Sequence, residues 1–126
     1  MIDKKTFKLS IIIPCYNEKN TINEILKRID KNLKNYELLK YEILIVDDYS
    51  TDGTTELLKD LSFNEKIKIF FHEKNLGKGA AIQTAIKHIT GDITIIQDAD
   101  LEYDPFDYEK LLLPFFETNA DTVYGS

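Results

Sequence analysis

The sequence predicts an α/β protein with a mostly parallel sheet and helices on both of its faces, a three-layer α/β/α arrangement. Short apolar runs rich in β-branched residues alternate with longer segments of helical period, which is the pattern of βαβ units. Several runs are almost continuously apolar, as expected of strands covered on both faces. At 126 residues and 43% hydrophobic content, the chain is long enough to bury one core. We therefore expect one domain over residues 1–126.

Five short runs predict the strands. Each is bounded by polar or turn-forming residues and is short enough for a strand rather than a helix. The predicted strands are residues 8–13, 41–46, 66–71, 92–97 and 121–124.

Apolar residues at helical spacing predict three helices between these strands. The first follows a capping box of Thr21 and Glu24. The second starts near Asp52 or Thr54, and the third runs from about Lys78 to His88. The residues expected on their buried faces are Ile22, Ile25, Leu26, Ile29 and Leu33, then Leu57, Leu58 and Leu61, then Ala81, Ile82, Ala85, Ile86 and Ile89.

A fourth helix is predicted over residues 104–118. Asp104 is suited to the N-cap, and Pro105 stands at the first helical position, where its missing N–H costs nothing. Pro114 should end or kink this helix after Leu113.

Composition excludes some classes of protein. A net charge of -6 argues against a nucleic-acid surface, which needs a basic stripe to displace counterions. A single cysteine, Cys15, excludes an internal disulfide, fits a reducing compartment and is expected to be a small buried residue. No run of 18 apolar residues and no signal peptide is found, so we expect a cytoplasmic chain without a transmembrane segment.

The loops after the strands should hold the functional residues, because ligands of open α/β sheets bind outside the carboxyl ends of the strands. These loops are PCYNEKN, DDYSTDGT, HEKNLGKGA and DADLEYDP. In the last loop, Asp98, Asp100 and Glu102 alternate after an apolar strand and could converge on one side of an extended segment. Hard cations such as Mg²⁺ and Mn²⁺ prefer such oxygen ligands, which favours a metal or ligand site over solvent-facing carboxylates.

The second and third loops suggest ligand contacts of other kinds. Asp47 and Asp48 cannot both be buried without hydrogen-bond donors, so one of them is expected to meet a ligand or the backbone. The glycines around Lys78 precede a helix and suit phosphate, but a P-loop and a dinucleotide fingerprint are both lacking. Residues 52–54 are explained as a turn and helix start.

Three further side chains have groups that could contact a ligand or a metal. Tyr16 could stack on a base or pack at the rim, and its sequence position favours neither. His72 and His88 show no pattern of metal ligands and are interpreted as structural.

Four motifs together, LSIIIPCYNEKNTI, ILIVDDYSTDGTTELL, NLGKGAAIQTAI and GDITIIQDADLEYDP, resemble the nucleotide-binding half of inverting family 2 glycosyltransferases of the GT-A fold. The chain is most similar to the dolichyl- or polyprenyl-phosphate sugar synthases, whose sequences share the following DPxDYxxLLxPF and ADxVYGS patterns. The resemblance covers residues 8–126. It implies a Rossmann-like sheet that is incomplete at its C-terminal side.

The resemblance also implies roles for particular residues. Asp47 would accept a base N–H, and Glu102 stands where the mannosyl-phosphate enzymes often have glutamine. The implied nucleotide-binding residues are Pro14, Tyr16, Glu18, Asp47, Lys78 and Asp98, and the implied ligands of Mg²⁺ or Mn²⁺ in the DXD motif are Asp100 and Glu102.

The implied reaction is metal-dependent transfer of a hexose from a GDP-mannose or UDP-glucose type of donor to a polyprenyl or dolichyl phosphate. The cation stabilises the leaving diphosphate, and a lipid phosphate is already an anionic nucleophile that needs no general base. Any membrane association would be peripheral, at the cytoplasmic face, or through segments outside residues 1–126. Family members continue well beyond the position of Ser126, so no catalytic residue is assigned, and we expect this chain to bind donor but to transfer sugar poorly.

Two other functions stay open at this point. One is a non-catalytic nucleotide-binding or interaction module that retains the GT-A fold. The other is a phospho-receiver domain, because ILIVDD resembles the acidic strand end of such domains.

Overall fold

A computed structural model of the chain describes residues 8–33, 40–61 and 65–99. The elements alternate along the chain as β1 Lys8–Cys15, α1 Ile22–Leu33, β2 Lys40–Asp47, α2 Thr54–Leu61, β3 Ile67–Phe71, α3 Lys78–Ile86 and β4 Ile93–Ile96. The first four predicted strands and first three predicted helices are confirmed. The predicted strand over 121–124 and helix over 104–118 lie outside the described residues.

The described strands form one parallel sheet in the order β3-β2-β1-β4. Ile11 of β1 pairs with Ile43 of β2 on one side and with Ile95 of β4 on the other. Since all four strands run in one direction, their carboxyl ends meet at one edge of the sheet. The predicted α/β class is confirmed.

Alternate residues of the strands build a core on each face of the sheet, as the period of two requires. One face carries α1 and α2, and its buried cluster is Leu9, Ile11, Ile13, Cys15, Ile22, Ile25, Ile29, Leu33, Ile43, Ile45, Leu58, Ile93, Ile95 and Ala99. The other face carries α3, and its cluster is Ile12, Leu44, Val46, Ala81 and Ala85. Helices on both faces give the predicted three layers.

Two local predictions were wrong. Ile86 was expected on the inner face of α3 but is 42% exposed, because it lies about 100° around the helix from the buried Ala85. Thr21 was expected to form a capping box with Glu24, yet its hydroxyl oxygen lies 2.7 Å from Glu18 Oε2 and 2.8 Å from the Ala99 carbonyl oxygen. The start of α1 is fixed instead by the Ile22 N–H, which donates to the Glu18 carbonyl at 2.9 Å.

A buried carboxylate organises the opposite edge of the sheet, where the strands begin. Glu42 is 3% exposed and accepts hydrogen bonds from the Ser10 hydroxyl at 2.7 Å, the Thr90 N–H at 2.7 Å and Lys68 Nζ at 2.8 Å. Burial alone would raise the pKa of this carboxyl, but the bonds from Lys68, Thr90 and Ser10 lower it from 4.5 to about 2. Glu42 therefore joins β1, β2, β3 and the segment before β4.

Gly91 packs against this edge with no room for a side chain. A Cβ there would lie 2.4 Å from Ser10 Oγ and 2.8 Å from the Lys8 carbonyl oxygen, which belongs to a paired strand and cannot easily shift. Gly91→Ala should lower the free energy of unfolding by about 2 kcal/mol, the usual cost of overpacking. Urea unfolding measures the change. Gly79→Ala is the matched control, since nothing lies within 4 Å of its added Cβ, and an equal loss there would contradict the explanation.

Candidate functional site

A cavity of about 170 Å³ opens at the carboxyl edge of the sheet. It lies between the ends of β1, β2 and β4 and the start of α3, where ligands of open α/β sheets bind. The residues lining it are Pro14, Cys15, Tyr16, Glu18, Asp48, Lys78, Ala81, Asp98 and Ala99. Five of the six predicted nucleotide-binding residues are thus brought together, Asp47 being the exception.

The two adjacent aspartates face opposite sides of the sheet. Asp47 continues the alternation of Ile43 and Ile45 on the face of α1 and α2, whereas Asp48 follows Val46 on the face of α3. The carboxylate of Asp47 accepts from the Ser50 N–H at 3.1 Å and from the Thr55 hydroxyl, and Asp47 is 1% exposed. Its predicted contact with a base stays a prediction, but the cavity is lined by Asp48.

Asp48 is held by donors from the segment that precedes α3. Its Oδ1 accepts from the Leu76 N–H at 2.8 Å and lies 2.9 Å from His72 Nδ1, while Oδ2 accepts from the Gly77 N–H at 2.8 Å. Burial would raise the pKa of this carboxyl, but these three hydrogen bonds lower it. Asp48 is therefore an ionised, accept-only group, and its Oδ2 keeps a lone pair for a further donor.

A cation already sits against the carboxylate at the end of β4. Lys78 Nζ lies 2.5 Å from Asp98 Oδ1, and the lysine side chain is 55% exposed. Lys78 is the first residue of α3, and Gly77 before it has φ of 99°, a left-handed conformation that favours glycine. The start of α3 and its lysine supply this side of the cavity with N–H donors and one positive charge, which Asp98 balances.

Hydrogen bonds between the loop after β1 and the loop after β2 hold Tyr16 and Glu18 at the cavity. Asn17, with φ of 53°, donates its N–H to Ser50 Oγ at 2.9 Å and accepts the Thr51 N–H at 2.7 Å. Tyr16 is 47% exposed, which is compatible with both the base-stacking and the rim interpretation.

The loop after β2 ends in the predicted turn. Asp52 Oδ1 accepts the Thr54 N–H at 3.0 Å at the start of α2, and Asp52 Oδ2 accepts the Lys19 N–H at 3.3 Å. Gly53 has φ of 102°. Residues 52–54 thus form the predicted turn and helix start.

The predicted metal ligands Asp100 and Glu102 lie outside the described residues. Within residues 8–33, 40–61 and 65–99, no three His, Cys, Asp or Glu side chains are grouped closely enough to hold a metal ion. The metal assignment therefore stays a prediction.

Cys15 is buried, as predicted, and both histidines contact other side chains of the fold. Cys15 is buried, and burial together with the nearby Asp47 raises its pKa to about 12, so its thiol stays protonated. His88 stacks on Phe70 with ring centroids 4.4 Å apart. His72 bridges Asp48 and Thr84.

Among the described residues, no helix has the length and apolar character needed to cross a bilayer.

Comparison with known proteins identifies the class. The family model "Glycosyl transferase family 2" matches residues 10–126, and the chain belongs to that family. Structural neighbours share its GT-A fold. A mannosyltransferase from Pyrobaculum calidifontis, solved with GDP-Man and Mn²⁺, has a TM-score of 0.66 and 30% identity over 82% of this chain and 31% of its own. TarS 1-349 from S. aureus, solved with UDP, has a TM-score of 0.73 and 27% identity over 90% and 33%.

Proteins of similar sequence are also named as glycosyltransferases. Dolichol-phosphate mannosyltransferase from Pyrococcus furiosus is 36% identical over 119 residues, which are 94% of this chain and 33% of that protein. The putative glycosyltransferase CsbB from Bacillus subtilis is 36% identical over 116 residues, covering 91% and 35%. The chain thus spans about a third of the length of both relatives.

The family match and the sheet order both exclude the phospho-receiver alternative. In receiver-like sheets of order 2-1-3-4-5, the first strand lies between the second and third. Here the ILIVDD motif belongs to β2, which lies between β3 and β1 rather than between the two strands that follow it, β3 and β4.

Proposed function

We propose that this chain binds a nucleotide-sugar donor in the cavity at the carboxyl edge and serves a metal-dependent hexosyltransferase. The observation that carries the proposal is the composition of the cavity. One side offers an aromatic ring and a fixed carboxylate acceptor, and the other offers Lys78 at a helix start beside Asp98. A base, a ribose and a diphosphate need these same kinds of partner.

The base is assigned to the side of Pro14, Tyr16 and Asp48. The Oδ2 lone pair of Asp48 can accept an N–H of the base, and both guanine and uracil carry a ring N–H. We therefore place on Asp48 the contact that the sequence pattern places on Asp47. Glu18, which also lines the cavity, completes the proposed base pocket.

The diphosphate is assigned to the start of α3. Backbone N–H groups and the helix dipole favour an anion there, and Lys78 adds a full positive charge. Lys78 is paired with Asp98, and we expect its ammonium to turn to the phosphate once another cation takes over that carboxylate.

That other cation is proposed to be Mg²⁺ or Mn²⁺. Carboxylate oxygens are the ligands that such ions prefer, and the contact of Lys78 Nζ with Asp98 at 2.5 Å supports a cation near this end of β4. Asp100 and Glu102, which follow in the DXD motif, are the proposed metal ligands. When bound, the ion stabilises the charge of the leaving diphosphate. A neighbour solved with GDP-Man and Mn²⁺ supports this proposal.

A dolichyl or polyprenyl phosphate is the proposed acceptor, supported by the name of the Pyrococcus relative. Its phosphate oxygen is anionic at neutral pH and can attack the sugar without a general base. We further propose a cytoplasmic location with peripheral contact to the membrane that holds the acceptor.

Calorimetric titration tests the proposed donor. GDP, UDP and their sugars are titrated into the chain with Mn²⁺ and, as a control, with EDTA. We expect saturable binding of one base type that weakens strongly in EDTA. Absence of binding to all of them would favour a non-catalytic interaction module instead.

Asp100→Ala should abolish the metal-dependent part of nucleotide binding, because it removes the proposed principal metal ligand. Titration of Mn²⁺ and nucleotide into the variant measures the loss. Asp104→Ala is the matched control, since Asp104 is predicted only to cap a helix. It should lower stability by about 1 kcal/mol and leave binding intact. The reverse pattern would overturn both assignments.

A further inference from the structure

His72 directly follows β3, and its side chain lies between Asp48, which lines the cavity, and Thr84 of α3. Its side chain is 8% exposed, with Nδ1 2.9 Å from Asp48 Oδ1 and Nε2 2.8 Å from Thr84 Oγ1. The backbone N–H of His72 donates to the Asp47 carbonyl at 2.9 Å, which ties the residue to the end of β2. The ring is thus anchored from both sides.

The partners of the ring assign its protons. A carboxylate can only accept, so Nδ1 must carry the proton that meets Asp48. Nε2 can then accept the proton of the Thr84 hydroxyl, and a neutral ring satisfies both contacts. This arrangement directs the only N–H of the neutral ring at Asp48 Oδ1.

The bond from His72 determines which lone pairs of Asp48 stay open. Oδ1 is filled by His72 and Leu76, whereas Oδ2 meets only Gly77 among the described residues. Without His72, the carboxylate would keep only the two backbone donors of residues 76–77, and Leu76 in that segment is half exposed. Those donors hold the carboxylate less firmly than a side chain anchored at both ends.

We propose that His72 is a positioning residue for the nucleotide base: it holds the Asp48 carboxylate so that Oδ2 faces the cavity and accepts the N–H of guanine or uracil. The inference rests on the proposed function. It assigns to His72 no contact with the nucleotide itself and no proton transfer.

Two substitutions of His72 by an amide distinguish the effect of its hydrogen bond to Asp48 from the effect of side-chain size. The side-chain nitrogen of asparagine can replace Nδ1 and keep the donor to Asp48, whereas that of glutamine replaces Nε2 and loses it. With Mn²⁺ present, His72→Gln should bind about tenfold more weakly the nucleotide, GDP or UDP, that the wild type binds, and His72→Asn should stay close to wild type. His88→Gln is the matched control, because His88 is exposed and stacks on Phe70 away from the cavity.

The outcomes distinguish the two proposals. If the wild-type chain binds and both His72 variants bind equally well or equally badly, the positioning role is overturned while the proposed function stands. If the wild-type chain binds none of these nucleotides, both fall. Nitrogen-15 NMR of the wild-type imidazole adds a test that needs no variant: a proton on Nδ1 supports the proposal, and a neutral ring with its proton on Nε2 contradicts it.

Discussion

Asp48→Asn is expected to weaken the binding of GDP or UDP by about 30-fold, equivalent to about 2 kcal/mol, in the presence of Mn²⁺. The variant keeps the shape of the side chain but replaces one carboxylate oxygen with an NH₂ group. If that group replaces Oδ2, it cannot accept from Gly77 or from the base N–H. If it replaces Oδ1, it cannot accept from Leu76 or His72. Calorimetry on the folded variant measures the effect.

Asp47→Asn is the matched control for this prediction. The carboxylate of Asp47 accepts from Ser50 and Thr55 on the other face of the sheet, so this variant should lose stability but retain nucleotide affinity. If Asp47→Asn abolished binding in a folded protein while Asp48→Asn did not, the original assignment from the sequence motif would be correct.

Glu42→Gln is expected to have the largest effect on stability, lowering the free energy of unfolding by about 3 kcal/mol. The carboxylate joins three strands through Ser10, Lys68 and the segment at Thr90, and an amide cannot accept all of these bonds. A loss of about 3 kcal/mol is at the low end of the range for breaking a buried ion pair, because the Lys68 side chain is 42% exposed. Urea unfolding at neutral pH measures the loss, and Glu56→Gln on the exposed side of α2 is the control.

The Glu42 carboxylate should also make the free energy of unfolding depend on pH in the acid range. Its pKa is about 2 in the folded protein against an ordinary 4.5, so its stabilising contribution is complete above pH 4.5 and is lost as the pH falls toward 2. Unfolding measured at pH 6 and pH 3 should therefore show a smaller decrease for Glu42→Gln than for the wild type. Equal decreases would show that Glu42 does not carry the acid sensitivity.

The sequence predicted the described elements because their local signals agree with the packing. The spacing of Ile22, Ile25 and Ile29 fits a single helix face, and that face is buried. The apolar strands pair in one parallel sheet, as their two-sided hydrophobicity indicates. Because the strands are parallel, the loops that follow them all lie at the carboxyl edge of the sheet, as predicted.

The sequence alone could have shown that Asp48, rather than Asp47, lines the cavity, whereas the predicted contact of Asp47 with a base stays a prediction. Ile43 and Ile45 share a face with Asp47, and the strand period of two assigns Asp48 to the face of α3. The sequence motif indicates that a carboxylate of this loop contacts the base. The alternation of side chains along β2 determines which of the two carboxylates reaches the cavity.

Other features could not be predicted from local patterns because their partners are distant in sequence. Glu42 meets Thr90 across 48 residues, and the Thr21 hydroxyl meets the Ala99 carbonyl across 78. Both contacts exist only once the parallel sheet has formed. The His72 bridge depends in the same way on a helix and a strand end that come together after folding.

The position of the donor site is tested most directly by NMR titration of the isotope-labelled chain with GDP or UDP in the presence of Mg²⁺. We expect the largest shifts of backbone amide signals on residues 15–18, 48 and 76–78, around the cavity at the carboxyl edge, with little change at Glu42 and Gly91. Saturable shifts concentrated at the opposite edge, or on the face of α1 and α2, would contradict it.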